Sequence, residues 1–118
     1  MTGDRGSAAI EFGLAFPLLV MLLAGIADLG RALWLHHALA KSAETAGRYL
    51  ARAADPTNAA SQAAAAQLAG GATFTLAAVG DATWVTTTAT AVFQPVAALP
   101  FASGFTLQVS HVERCLGQ

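Results

Sequence analysis

The sequence predicts an α+β protein: a long N-terminal membrane-spanning helix extends outside the membrane and packs against a small antiparallel sheet of about three strands. Three observations support this fold class. An uncharged apolar run extends from Phe12 to Ala27. Charged and apolar residues then repeat at helical spacing up to about residue 54. The last third of the chain alternates with a period of two and is rich in Thr, Val and Phe, which is typical of strands.

The apolar run itself is short for a spanning helix, which needs about 20 residues. Adding Ser7 to Ile10 lengthens it to twenty-one residues and places one charge, Glu11, inside it. A carboxylate that ends up in hydrocarbon costs a few kcal/mol, so Glu11 calls for a partner. The most economical partner is a positive charge on an adjacent copy or a related subunit.

Three interpretations of this segment compete. In the first interpretation, the segment is a cleaved secretory signal, with Arg5 as its basic end and Gly25-Ile26-Ala27 as the cleavage site. Alternatively, it is an ordinary single-pass anchor. The third interpretation explains Gly6 and Glu11 together: in the type IV pilin superfamily a membrane peptidase cuts after a glycine, and a glutamate stands fifth in the mature chain. Here cleavage before Ser7 makes Glu11 the fifth residue.

The surrounding residues sharpen the third interpretation. They are Arg5-Gly6-Ser7-Ala8-Ala9-Ile10-Glu11-Phe12, then Pro17-Leu18-Leu19, then Gly25-Ile26-Ala27-Asp28-Leu29-Gly30-Arg31. Over about its first fifty residues the chain resembles the TadE-like family, the pilin-like (pseudopilin) proteins of the tight-adherence (Tad, or Flp) type IV pilus machinery. The spacing from Gly6 to Glu11 gains its specificity from the apolar run that begins at the next residue.

The resemblance implies a domain organisation and a location. Residues 1–6 would be a leader peptide, residues 7–28 the transmembrane and assembly helix, and residues 29–118 an extracytoplasmic amphipathic helix with a small α+β domain. The protein would cross the bacterial inner membrane once, with its N-terminus in the cytoplasm. The count of positive charges, Arg5 on one side and Arg31 and Lys41 on the other, does not set this orientation by itself.

The resemblance also implies a function. A prepilin peptidase would cut between Gly6 and Ser7, and the new amine at Ser7 would pair with Glu11 of an adjoining subunit. The expected partners are that peptidase, other pilin-like subunits, the inner-membrane assembly platform and membrane lipid. Because the filament-building subunit of such systems is smaller and nearly all helix, a minor pilin or initiating pseudopilin fits better. The alternative is an envelope binding module, anchored by one helix or released by a signal peptidase.

The first helix is predicted from about Ser7 to about Ala54, with a kink at Pro17 because proline removes a backbone hydrogen bond. Beyond the membrane it carries a charged stripe of Lys41, Glu44, Arg48 and Arg52 and an opposite apolar stripe of Leu39, Ala43, Ala46, Leu50 and Ala53. The apolar stripe must cover a packed domain. Asp28 and Arg31 form either a local ion pair or a contact between subunits. Trp34 sits either at the membrane interface or against the sheet.

The remainder alternates between turn signals and short elements. Asp55-Pro56 is predicted to cap a second helix over Ala59 to Ala69, stopped by Gly70-Gly71. Strands are expected over 72–79, 83–93 and 105–113, with a hairpin at Gly80-Asp81 and a loop from 94 to 104. One face of the second strand should hold Val85, Thr87, Ala89, Ala91 and Phe93.

Catalytic chemistry has little support in this sequence. The adjacent His36 and His37 point about 100° apart on a helix and cannot chelate one metal as an i,i+4 pair can. His111 and Cys115 are far apart on a strand, and the single cysteine is either a thiol or an intermolecular link. No phosphate loop or nucleophile elbow occurs, and a net charge of −1 offers no stripe for nucleic acid. We therefore predict no enzyme activity, metal, cofactor or small-molecule substrate.

Overall fold

The computed structural model describes residues 3–68, 75–80, 83–96 and 103–115. These residues form two helices and three strands: α1 Gly3–Leu50, α2 Ala59–Leu68, β1 Thr75–Gly80, β2 Trp84–Phe93 and β3 Phe105–Arg114. The strands form one antiparallel sheet in the order β1-β2-β3. A long apolar helix packed against a small antiparallel sheet is the predicted α+β architecture, which is therefore confirmed.

Helix α1 dominates the shape of the molecule, whose extents are 86 × 21 × 18 Å. It runs without interruption through Pro17, and the kink expected there stays a prediction. The helix begins at Gly3, four residues before the predicted start, and ends at Leu50, four residues before the predicted end. Its last turn tightens, since the Arg52 and Ala53 amides donate to carbonyls three residues back.

The sheet packs on the C-terminal half of α1. Four residues of the predicted apolar stripe, Leu39, Ala43, Ala46 and Leu50, are buried. The fifth, Ala53, is half-buried and lies beyond the end of α1. Leu39 and Ala43 pack against Ala89, while Ala46 and Leu50 pack against Val85 and Ala65. Strand β2 therefore runs antiparallel to α1, with Val85 near the end of the helix and Phe93 towards its middle. The predicted inward face of β2 is also confirmed, with Ala91 only half-buried.

Small residues allow this close approach of helix and sheet. A Cβ atom added at Gly47 would lie 3.2 Å from the His111 Cδ2 atom and 3.3 Å from the Thr87 hydroxyl oxygen. That buried hydroxyl has no hydrogen-bond partner among the described residues. Leaving a buried hydroxyl unpaired costs about 1–3 kcal/mol. The contact between helix and sheet is thus held together by packing at this point and not by hydrogen bonding.

The segment between the helices corrects one prediction. Asp55 does not cap α2: its carboxylate accepts hydrogen bonds from the amide and hydroxyl of Thr57, which lower the pKa of Asp55. Asn58 is the capping residue, because its side-chain oxygen accepts the amide of Ala60 in the first turn. Pro56 accordingly lies before the helix and not in its first position.

The strand boundaries follow the predictions closely. Strand β2 starts one residue late, and β3 extends one residue further than expected. Strand β1 begins at Thr75, and the earlier part of its predicted range, 72–74, lies outside the described residues. So do Asp81 of the predicted hairpin, Ala69 at the predicted end of the second helix, and Gly70-Gly71.

Candidate assembly helix and its junction with the sheet

The N-terminal half of α1 presents an apolar surface that nothing in the described chain covers. Every residue from Gly6 to Leu23 is exposed, including seven large apolar side chains from Ile10 to Val20. The most apolar stretch of this helix has a mean hydropathy of 2.2 and no buried residue. Apolar area left in water costs about 25 cal/mol per Å². By length and composition the helix is compatible with a single-pass membrane anchor.

Three predicted residues, Gly6, Ser7 and Glu11, lie in the first turns of α1 and are exposed. Ser7 and Glu11 are one helical turn apart, about 6 Å along the axis. Within the part of the chain that the structure describes, the Glu11 carboxylate forms no ion pair. The next acidic residue is Asp28, about 26 Å further along the helix. Among the described side chains, Glu11 is thus an isolated charge at the edge of an apolar surface.

Asp28 lies where the helix meets the sheet domain. Its side chain is largely buried and accepts hydrogen bonds from Arg31 Nη1 at 3.0 Å and from the Val96 amide at 3.1 Å. The local ion pair expected between Asp28 and Arg31 is present, whereas a contact between subunits stays a prediction. The hydrogen bond from the Val96 amide to Asp28 was not predicted from the sequence. A carboxylate at the end of an apolar run does require donors, but nothing in the sequence indicates a backbone amide 68 residues away.

The same junction brings a cation and three aromatic rings together. The Arg31 guanidinium carbon lies 5.4 Å from the centroid of the Phe93 ring, and Phe93 lies 5.2 Å from Phe105. Trp34 and Val92 line a groove together with Arg31 and Phe93, and this groove has a volume of about 330 Å³. Trp34 is 71% exposed, so the sheet does not cover it. The membrane interface as the surroundings of Trp34 stays a prediction.

The charged stripe beyond the junction is a solvated face. Glu44 pairs with Lys41 and with Arg48. The hydrogen bond from Lys41, followed by the charge of Arg48, holds the pKa of Glu44 below its ordinary value. Arg52, predicted to share this stripe, lies beyond the end of α1.

The histidines and the cysteine are dispersed. His36 and His37 are exposed, with rings at 82° to each other. His111 Nε2 lies 2.9 Å from a Glu113 carboxylate oxygen. Cys115 is half-buried against the apolar cluster near Leu50. Over the described ranges, no group of three or more His, Cys, Asp and Glu side chains is arranged to hold a metal ion.

Comparison with known protein families finds a match in the N-terminal helix. Residues 6–48 match the family model described as TadE-like protein. The matched segment begins at Gly6 and ends two residues before the end of α1, so it contains the exposed apolar surface, Glu11 and the Asp28 junction but not the sheet. No curated protein and no solved structure matches the chain.

Proposed function

Since this chain is TadE-like over residues 6–48, as its N-terminal motif predicted, we propose that it is a minor pilin or pseudopilin. It would take part in the assembly or initiation of a Flp/Tad type IV pilus used for surface adherence. The observation that carries the proposal is Glu11, the one acidic residue on an exposed apolar helix face, standing fifth after Gly6.

The proposed mechanism begins with processing by a prepilin peptidase between Gly6 and Ser7. Cleavage removes the leader, residues 1–6, and exposes a new α-amine at Ser7. A free α-amine carries a positive charge near neutral pH. Each charge is costly alone in a low-dielectric helix bundle and tolerable when paired, so the amine of one subunit pairs with Glu11 of its neighbour. The pair also sets the axial register between subunits.

The length of the helix suits both the membrane and the filament. Residues 7–28 span about 32 Å as an α-helix, close to the roughly 30 Å thickness of the bilayer hydrocarbon. In the membrane their apolar side chains contact lipid, with the sheet domain, residues 29–118, outside the cytoplasm. On assembly the same surface packs against other pilin-like helices at the platform in the inner membrane. The sheet domain adds much to the size of the assembly helix. Because filament-building subunits of such systems are smaller and nearly all helix, this added domain favours a minor or initiating subunit.

A deletion strain tests this function. In a bacterium that carries the Tad machinery, removing this chain should abolish or strongly reduce surface pili and attachment. The major filament subunit should remain in the membrane. A plasmid copy of the wild-type chain should restore both, as measured by electron microscopy and an attachment assay. Normal pili in the deletion strain would favour the alternative, an anchored or released envelope binding module.

Two glycine substitutions in the plasmid copy sharpen the test. Neither Gly6 nor Gly13 has an atom within 4 Å of an added Cβ, so neither substitution disturbs packing within the described part of the chain. Gly6→Leu should fail to restore pili because it blocks the peptidase, whereas Gly13→Ala, the control on the same helix, should restore them. Full restoration by Gly6→Leu would contradict processing at this position.

A further inference from the structure

We propose that the loop end of the sheet, meaning Val92, Val96 and Phe105 together with Trp34 of α1, inserts into the outer lipid–water interface of the membrane. This inference rests on the proposed function, because it requires residues 7–28 to span the bilayer. It adds a lipid contact made by the sheet domain itself. The domain would therefore lie on the membrane surface, and the helix would not hold it at a distance from the membrane.

The depth of this surface follows from one hydrogen bond. The Val96 amide donates to the Asp28 side chain at 3.1 Å, so Val96 lies at the level of Asp28 along α1. Asp28 in turn ends the run of the helix that is long enough to cross the hydrocarbon, about 32 Å from Ser7. The backbone that follows β2 is therefore held at the outer boundary of the bilayer.

Four side chains near this level are apolar and exposed, and Gln94 beside them is an exposed polar residue. The exposed fractions are 71% for Trp34, 64% for Val92, 74% for Val96 and 49% for Phe105. On α1, Leu29 and Leu33 lie near the same level and are also exposed. An exposed apolar surface at the outer end of a lipid-facing helix is suited to lipid.

Charge distribution favours the interface over a protein partner. Glu44, Arg48 and Arg114 lie towards the other end of the sheet domain, near Leu50 and Trp84. At the loop end the described ionisable side chains are Asp28 and Arg31, which pair with each other. Arg31 remains about half exposed, and an arginine at a membrane boundary extends its guanidinium to the phosphates. A tryptophan beside it is a typical interfacial residue.

Tryptophan quenching by lipid tests the proposal. The full chain, with Trp34 and Trp84 replaced by phenylalanine, receives one reporter at a time: Val96→Trp, Val112→Trp or Leu22→Trp. All three sites are exposed, so each substitution preserves the core. The proteins are placed in phosphatidylcholine–phosphatidylglycerol vesicles that contain lipid brominated either high or deep in the acyl chain. Fluorescence loss to each lipid is then measured, together with quenching by aqueous acrylamide.

The expected pattern has three parts. Val96→Trp loses fluorescence to the shallow bromines, and Leu22→Trp loses it to the deep ones. Val112→Trp, which pairs with Thr86 further along β3, loses fluorescence only to acrylamide. If Leu22→Trp is quenched by lipid while Val96→Trp responds only to acrylamide, the sheet domain does not contact lipid. The membrane-spanning helix of the proposed function is then still supported.

Two further results would overturn the proposal. If Val96→Trp is shielded from both quenchers, a second copy of the chain covers the surface. If Leu22→Trp is not quenched by lipid, residues 7–28 do not span the bilayer. That result would contradict both the proposed function and this inference.

Discussion

Glu11→Ala should leave cleavage after Gly6 intact and abolish the pili that this chain supports. The substitution removes the carboxylate and leaves the Ser7 amine of the neighbouring subunit unpaired in an apolar bundle. Breaking a buried ion pair in this way costs about 3–5 kcal/mol, which corresponds to subunit association weakened by at least a hundredfold. The exposed helix itself loses nothing, since Glu11 has no ion pair among the described residues of its own chain.

Two further variants separate charge from shape. Glu11→Gln keeps the size of the side chain and removes the charge, so it should fail as Glu11→Ala does. Glu11→Asp keeps the charge on a shorter side chain and should retain partial function. Pili are counted in a strain that lacks the chromosomal copy, and the N-terminus of each variant is determined from membranes. Normal piliation by Glu11→Ala would show that subunit register does not depend on this carboxylate.

Ala43→Leu should loosen the sheet from the helix. Ala43 is completely buried and packs against Ala89, which is also completely buried. The contact between α1 and the sheet, the helix–sheet seam, therefore has no room for the three additional carbon atoms of leucine. Overpacking of this kind costs about 1–3 kcal/mol. The apolar half of α1 lies outside this contact, and membrane association should therefore be unchanged.

The matched control is Ala60→Leu, the same change at an exposed position of α2. It should alter the free energy of unfolding by less than about 0.5 kcal/mol. Urea unfolding of the full chain in detergent, followed through the half-exposed Trp84 on β2, measures both variants. Equal transition midpoints for Ala43→Leu and Ala60→Leu would mean that the helix–sheet seam does not stabilise the domain.

Periodicity accounts for the part of the fold that could be predicted. A long apolar run followed by a stripe at helical spacing identifies α1, and the alternation around Val85 and Ala89 identifies the buried face of β2. Both patterns reflect which side chains must avoid water, and this information is local. The N-terminal motif around Gly6 and Glu11 is local too, and it was sufficient to predict the match of residues 6–48 to the TadE-like family model.

The features that escaped prediction depend on tertiary geometry. Whether Asp55 or Asn58 caps α2 is decided by backbone conformation, because both residues have suitable side chains. The close approach at Gly47 depends on where His111 and Thr87 arrive from the sheet. The Asp28–Val96 hydrogen bond joins residues 68 positions apart through a backbone amide, which every residue except proline possesses. The spacing and the composition of the sequence therefore do not predict such a contact.

The central claim, that this chain is a processed pilin-like subunit, is tested most directly by its mature N-terminus. The intact mass and N-terminal sequence would be determined from membranes of a host that expresses its own prepilin peptidase. Our account predicts a chain that begins at Ser7. A chain that retains Met1 would contradict it and leave a plain membrane anchor, and a chain that begins near Asp28 would make the protein a secreted domain.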